Sequence, residues 1–72
     1  MTPETQRVLA KVGDDEPIFI LRASDTLTPL VIDEWIRLAK RNCVSHEKIV
    51  KAKQHADAIW KWQLEHGAKL PD

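Results

Sequence analysis

The spacing of apolar positions changes along this chain, and each spacing predicts a different element. Ile18-Phe19-Ile20-Leu21 is a continuous apolar run, β-branched and aromatic, between Pro17 and the polar stretch Arg22-Ala23-Ser24-Asp25. That pattern predicts a strand over residues 17–22 that is apolar on both faces. From Pro29 onward the spacing turns helical. Val31, Ile32, Trp35, Leu38, Ala39 and, one step beyond, Cys43 share one face, with Ile36 at its edge, an arc of roughly 160°. Thr28-Pro29 supplies a cap and a first-turn proline, so a helix is expected over residues 29–42, with Asp33 and Arg37 spaced to pair on its outer side. Asn42-Cys43-Val44 breaks the pattern, and Ser45 is placed to cap a second helix over residues 46–66. Its stripe is Ile49, Ala52, Ala56, Ile59, Trp60 and Gln63, and Gly67 is the expected left-handed stop before a tail of residues 67–72. Small Ala52 and Ala56 permit close approach, so the two helices are expected to form an antiparallel hairpin.

The first sixteen residues read as a helix and a turn. Thr2-Pro3-Glu4 combines a cap, a proline at the first helical position and a first-turn acid, which predicts a helix over residues 3–11 carrying Val8, Leu9 and Val12. The competing reading pairs Arg7–Val12 with Pro17–Arg22 as a β-hairpin; in both, Gly13–Glu16 is a turn. If the first segment is helical, the strand has no partner of its own chain. A lone strand cannot satisfy its backbone N–H and C=O groups, so it is expected to pair with a copy of itself in a homo-oligomer. The fold class that follows is mainly α: a short N-terminal helix, one strand and a helical hairpin.

Size supports the same expectation. A chain of 72 residues makes one small domain, and such a domain buries only about 60% of its unfolded surface. One cysteine, Cys43, leaves no internal disulfide to compensate, and its place on the apolar side of a helix end reads as a small core residue. No apolar run approaches the roughly 18 residues of a membrane span, and the Met1-Thr2-Pro3-Glu4 start lacks the basic and apolar parts of a secretory signal, so a reducing, cytoplasmic setting is expected. Eleven basic residues balance eleven acidic ones, but residues 1–34 hold three basic against seven acidic and residues 35–72 eight against four, a split of −4 and +4. Either the two parts neutralise each other or the basic half meets an anionic partner or another copy. Zero net charge argues against avid general nucleic-acid binding.

Candidate chemistry is limited to two places. Lys51, His55, Ala58, Trp62 and His66 share a face of the second hairpin helix about 120° from its core stripe. A tryptophan among histidines and a lysine can stack on a base while the cations meet phosphate; the same face can equally serve as a subunit contact. The other place is the junction Arg22–Pro29, where the chain enters a helix N-terminus and Arg22, Ser24 or Thr28 can contact an anion, although capping and turn formation by Ser24, Asp25 and Thr28 explains these residues too. Cys43, His46, His55 and His66 have the wrong spacing for a tetrahedral metal site, and no nucleophile–base grouping, carboxylate pair or glycine-rich loop is present, so no metal, no cofactor and no enzymatic activity are expected. A helix-turn-helix reading draws on Arg37, Lys40, Arg41, Lys48, Lys51 and Lys53 but has a second helix too long for recognition and no glycine in the turn.

The segment Glu16–Asp25, followed by Pro29, Trp35, His55-Ala56-Asp57-Ala58 and Trp60, resembles small proteins encoded by bacteriophages and prophages, over most of the chain from Glu16 to Trp62. The resemblance carries no site residues. It implies a protein that works in the host cytoplasm by binding, either sequestering a nucleotide signal of host defence or blocking a host protein. The function expected is therefore a non-enzymatic oligomeric sponge for a phosphate-bearing ligand at Arg22, Ser24, Thr28, Lys51, His55, Trp62 and His66. A protein-interaction module and a DNA binder are the alternatives.

Overall fold

The computed structural model describes residues 2–71. Met1 and Asp72, which end the predicted first segment and tail, and the side chain of Glu4, the predicted first-turn acid, lie outside the described residues. Three helices follow in order: α1 over Pro3–Ala10, α2 over Thr28–Arg41 and α3 over His46–His66. The helical reading of the first segment holds. Thr2 caps α1, its hydroxyl accepting from the Thr5 N–H at 3.2 Å, and Pro3 opens the first turn.

Among the described residues, the α2–α3 hairpin is the only helix pair that packs together, and α1 packs against neither. Its seam is narrow. Pro29 and Ala39 are buried on α2 with Ile32 and Ile36 partly covered, and on α3 Ile49 and Ala56 are buried with Ala52, Ile59 and Gln63 partly covered. Spacings of three and four along both helices make this a coiled-coil-like contact, in which the alanines let the backbones come close. The helices are antiparallel, since Gln63 near the end of α3 bonds to the turn preceding α2 while residues 42–45 join the other ends.

The α2 terminus explains Cys43. Val44 N–H donates to Ala39 O at 3.0 Å and Cys43 N–H to Lys40 O at 3.3 Å, the paired bonds of a Schellman stop. Such a stop needs a left-handed residue, and Cys43 adopts it with φ 58°. Cys43 is therefore exposed, not a core residue as its position on the helical face predicted, because the chain leaves the helix before reaching it. Gly67 ends α3 at φ 81°, a conformation that a side chain disfavours.

Several local expectations are corrected. Among the described residues there is no strand: residues 17–22 carry no regular secondary structure. A strand exists only when its backbone groups have a partner, and α1, being helical, offers none. Thr28 is the first residue of α2, and its hydroxyl donates to Arg22 O at 2.6 Å instead of capping the helix. Ser45 precedes α3 without a side-chain capping bond. Arg37 pairs with Glu34, three residues back, through bonds from Nε at 3.1 Å, and not with the predicted Asp33. Trp60, assigned to the core stripe, remains 44% exposed.

The chain exposes 6250 Å² at 8.3 kDa, where a compact monomer of that mass exposes about 4,600 Å². The excess, about 1,650 Å², is twice the roughly 800 Å² that one partner contributes to a standard interface. Much of it is apolar: Phe19 is 86% exposed and Ile20 74%.

Candidate functional site

The junction between residues 22 and 28 is tied down from three directions. Asp25 Oδ1 accepts from the Leu27 N–H at 2.7 Å, closing an Asx turn, and Thr28 N–H reaches Asp25 O at 3.1 Å. Gln63 Nε2 reaches across from α3 and donates to Ala23 O at 2.9 Å and Asp25 O at 3.0 Å. After Gly67 the chain turns back beside the junction, where Lys69 N–H donates to Ser24 O at 3.1 Å and Thr26 N–H donates to Lys69 O at 3.0 Å, a parallel bridge. These bonds fix the backbone of Ser24 and Asp25 independently of any ligand.

The result is an open recess of about 480 Å³. Arg22, Ser24, Asp25 and Lys69 form its polar wall, and Phe19, Ile20, Leu21, Leu70 and Pro71 its apolar wall. Two cationic side chains and a hydroxyl beside a helix entry suit a phosphate, while the Asp25 carboxylate is engaged in its turn. Lys69 is a residue that sequence reasoning missed. The signal for it is weak: a lysine two residues past a helix-stopping glycine reads as tail until a non-local bridge places it. Gln63 is a clearer case, since a glutamine at a core-stripe position must find polar partners, here two backbone carbonyls.

Leu21 also lines a second depression, an apolar groove of about 380 Å³ formed with residues of α2 and α3. Leu21, Val31, Ile32, Trp35 and Ala52 line it, and His55 stands at its edge. His55 also borders a shallow hollow on α3 shared with Lys51, Gln54 and Ala58. Lys51 Nζ lies 3.9 Å from Glu47 Oε1. Trp62 and His66 stack on each other with ring centroids 4.4 Å apart and planes at 18°, and the His66 Nδ1 lies 3.0 Å from Trp62 O.

The predicted site residues thus fall into separate groups within one chain. Arg22 and Ser24 share the recess; Lys51 and His55 share the α3 hollow; Trp62 and His66 stack on one another further along α3. Thr28, only 1% exposed, holds the Arg22 carbonyl and presents no hydroxyl to solvent. Trp35, read from sequence as core, is 46% exposed and walls the apolar groove. Among the described residues no group of three His, Cys, Asp or Glu is placed to hold a metal ion, and no helix is long and apolar enough to cross a membrane. Compared with protein-family models, curated proteins and solved structures, the chain matches none of them.

Proposed function

We propose that this is a non-enzymatic binding protein of the bacteriophage type, acting in the host cytoplasm as a homo-oligomer that holds a phosphate-bearing, nucleotide-like ligand and so withdraws a host-defence signal. One observation carries the reading: the Arg22–Ser24 recess and the Trp35–His55 apolar groove share Leu21 as a lining residue. A cationic, hydroxyl-bearing recess beside an apolar slot with an aromatic wall matches a molecule that is charged at one end and a flat ring at the other. Arg22, Ser24 and Lys69 take the phosphate; Trp35 and His55 face the ring. Lys51 and the Trp62–His66 stack flank the same side of α3, where a second subunit's ligand or surface meets them. Thr28 acts indirectly, by fixing the carbonyl of Arg22. The exposed area in excess of a compact monomer supports the oligomeric part of the reading.

The test is calorimetric titration with nucleoside mono-, di- and cyclic phosphates, beginning with any ligand mass retained in native mass spectrometry of the purified protein. Arg22→Ala should lower affinity at least tenfold, the loss of one charge-assisted phosphate contact, and added salt should weaken binding in parallel. Nucleotide binding that ignores both Arg22→Ala and salt contradicts the site.

A second reading, docking on a host protein, is favoured by one observation: Leu27, Val31, Trp35 and Leu38 make an exposed apolar stripe on α2, each between 42% and 46% accessible. Such docking depends on Trp35 and is nearly insensitive to salt. DNA binding has less support, because α3 is laid along α2 from Ile49 to Gln63 and is not free to enter a groove as a recognition helix.

A further inference from the structure

We propose that residues 16–22 of two copies pair as an antiparallel ladder about a two-fold axis at Phe19, with Glu16 of each copy opposite Arg22 of the other. The inference rests on the oligomeric half of the function proposed above and not on the ligand.

The backbone hydrogen bonds specify the ends of the ladder. Glu16 N–H is engaged by Gly13 O at 3.0 Å, and Arg22 O accepts from Asp25 N–H and from the Thr28 hydroxyl. Between them, among the described residues, 17–21 make no backbone–backbone bond. In an antiparallel pairing centred on Phe19, residue 18 lies opposite 20 and residue 16 opposite 22. If these are the hydrogen-bonded pairs, 18 and 20 exchange both bonds, and the outer pair needs only Arg22 N–H and Glu16 O, the two groups not already engaged. Pro17, which has no N–H, then falls at a position whose amide faces away from the ladder.

The side chains agree. Glu16 and Arg22, the only charged residues of the segment, meet as opposite charges twice in the pair, and the two Phe19 rings cross at the axis, where cross-strand aromatic pairs are favourable. Ile18, Phe19 and Ile20 are 52%, 86% and 74% exposed, so their apolar side chains are open to a partner. The pairing also sets Pro17 and Ile18 of the second copy across from Leu21 and Ile20, two residues of the apolar wall of the recess. Arg22 has two donor edges, one for the carboxylate and one for the recess.

The test uses ligand-free, full-length protein in a Cys43→Ser background. Phe19→Cys should cross-link to a dimer in a thiol–disulfide buffer, because the pair at the axis has Cα atoms about 4.5 Å apart. Arg22→Cys should not, because those atoms lie about 20 Å apart, beyond disulfide reach. Glu16→Arg and Arg22→Glu should each weaken self-association about threefold or more, and the double exchange should restore it. Circular dichroism should report unchanged helix in every variant. Equal cross-linking at 19 and 22, no cross-linking at 19, or a double exchange as weak as the single ones overturns the pairing. Any of these with nucleotide binding retained would leave the ligand reading standing.

Discussion

Along the hairpin seam, the apolar and polar groups find partners inside the chain. Ala39, Ile49 and Ala56 are buried against the facing helix, Gln63 satisfies two carbonyls across the gap, and the Schellman bonds finish α2. In residues 2–22 the apolar groups find fewer partners within one chain: α1 packs on neither helix, and Ile18, Phe19 and Ile20 keep their side chains in solvent. The contrast teaches that the chain encodes more apolar surface and backbone pairing than one copy uses. Hydrophobic burial drives both folding and association by the same physics, so in the pairing proposed above one region folds the subunit while the other would meet a second copy.

That division is broken most forcefully in the seam. Ala56→Leu places a larger side chain where the helices are closest, and should destabilise by about 2–3 kcal/mol in urea unfolding. Gln63→Ala leaves the Ala23 carbonyl without its donor and the Asp25 carbonyl with only the Thr28 N–H, and should cost about 1–3 kcal/mol, with the larger part of the effect on order in the 22–28 turn. Cys43→Gly should work in the other direction, raising stability by about 1 kcal/mol, because a glycine takes the left-handed stop without the penalty of a side chain. Phe19→Ser, on the other side of the comparison, should change the unfolding free energy of the monomer by less than about 0.5 kcal/mol and yet abolish self-association in sedimentation. A large loss of monomer stability from that substitution would erase the distinction between the regions.

The smallest effect concerns pH. The Arg37 guanidinium, hydrogen-bonded to Glu34, holds the Glu34 carboxyl below its ordinary value of 4.5. A lowered folded-state pKa means that its contribution is present above the usual carboxylate range and is lost as pH falls through the lowered value. Glu34→Gln should flatten the pH dependence of α2 helicity slightly below pH 5, measured by circular dichroism in dilute salt. Both groups are exposed, so the change should fade as salt is added.

What could be read in the sequence follows from how local each signal is. Prolines at helix starts, Gly67 at a helix end and three-and-four spacing place the helices within a residue or two, with 29–42 observed as Thr28–Arg41 and 46–66 as His46–His66. The ion pair was less legible, because Asp33 and Glu34 both stand at permitted spacings from Arg37 and the choice lies in side-chain rotamers. Residues 17–22 have the composition of a strand, but pairing is a property of two segments and one chain supplies only one. The recess was half legible. Arg22 and Ser24 announce themselves at a junction, while Lys69 arrives through a bridge between residues over forty positions apart, which no local pattern encodes. Trp35 was misread because a helical stripe wider than the seam leaves its outer members exposed.

The central claim is that residues 16–22 pair with a second copy, and that the assembled protein holds a small phosphate-bearing molecule. Native mass spectrometry of the freshly purified protein tests both parts at once. The account predicts an oligomer with additional mass in the nucleotide range that is lost in Arg22→Ala. A monomer without added mass, persisting at tens of micromolar protein, would contradict it.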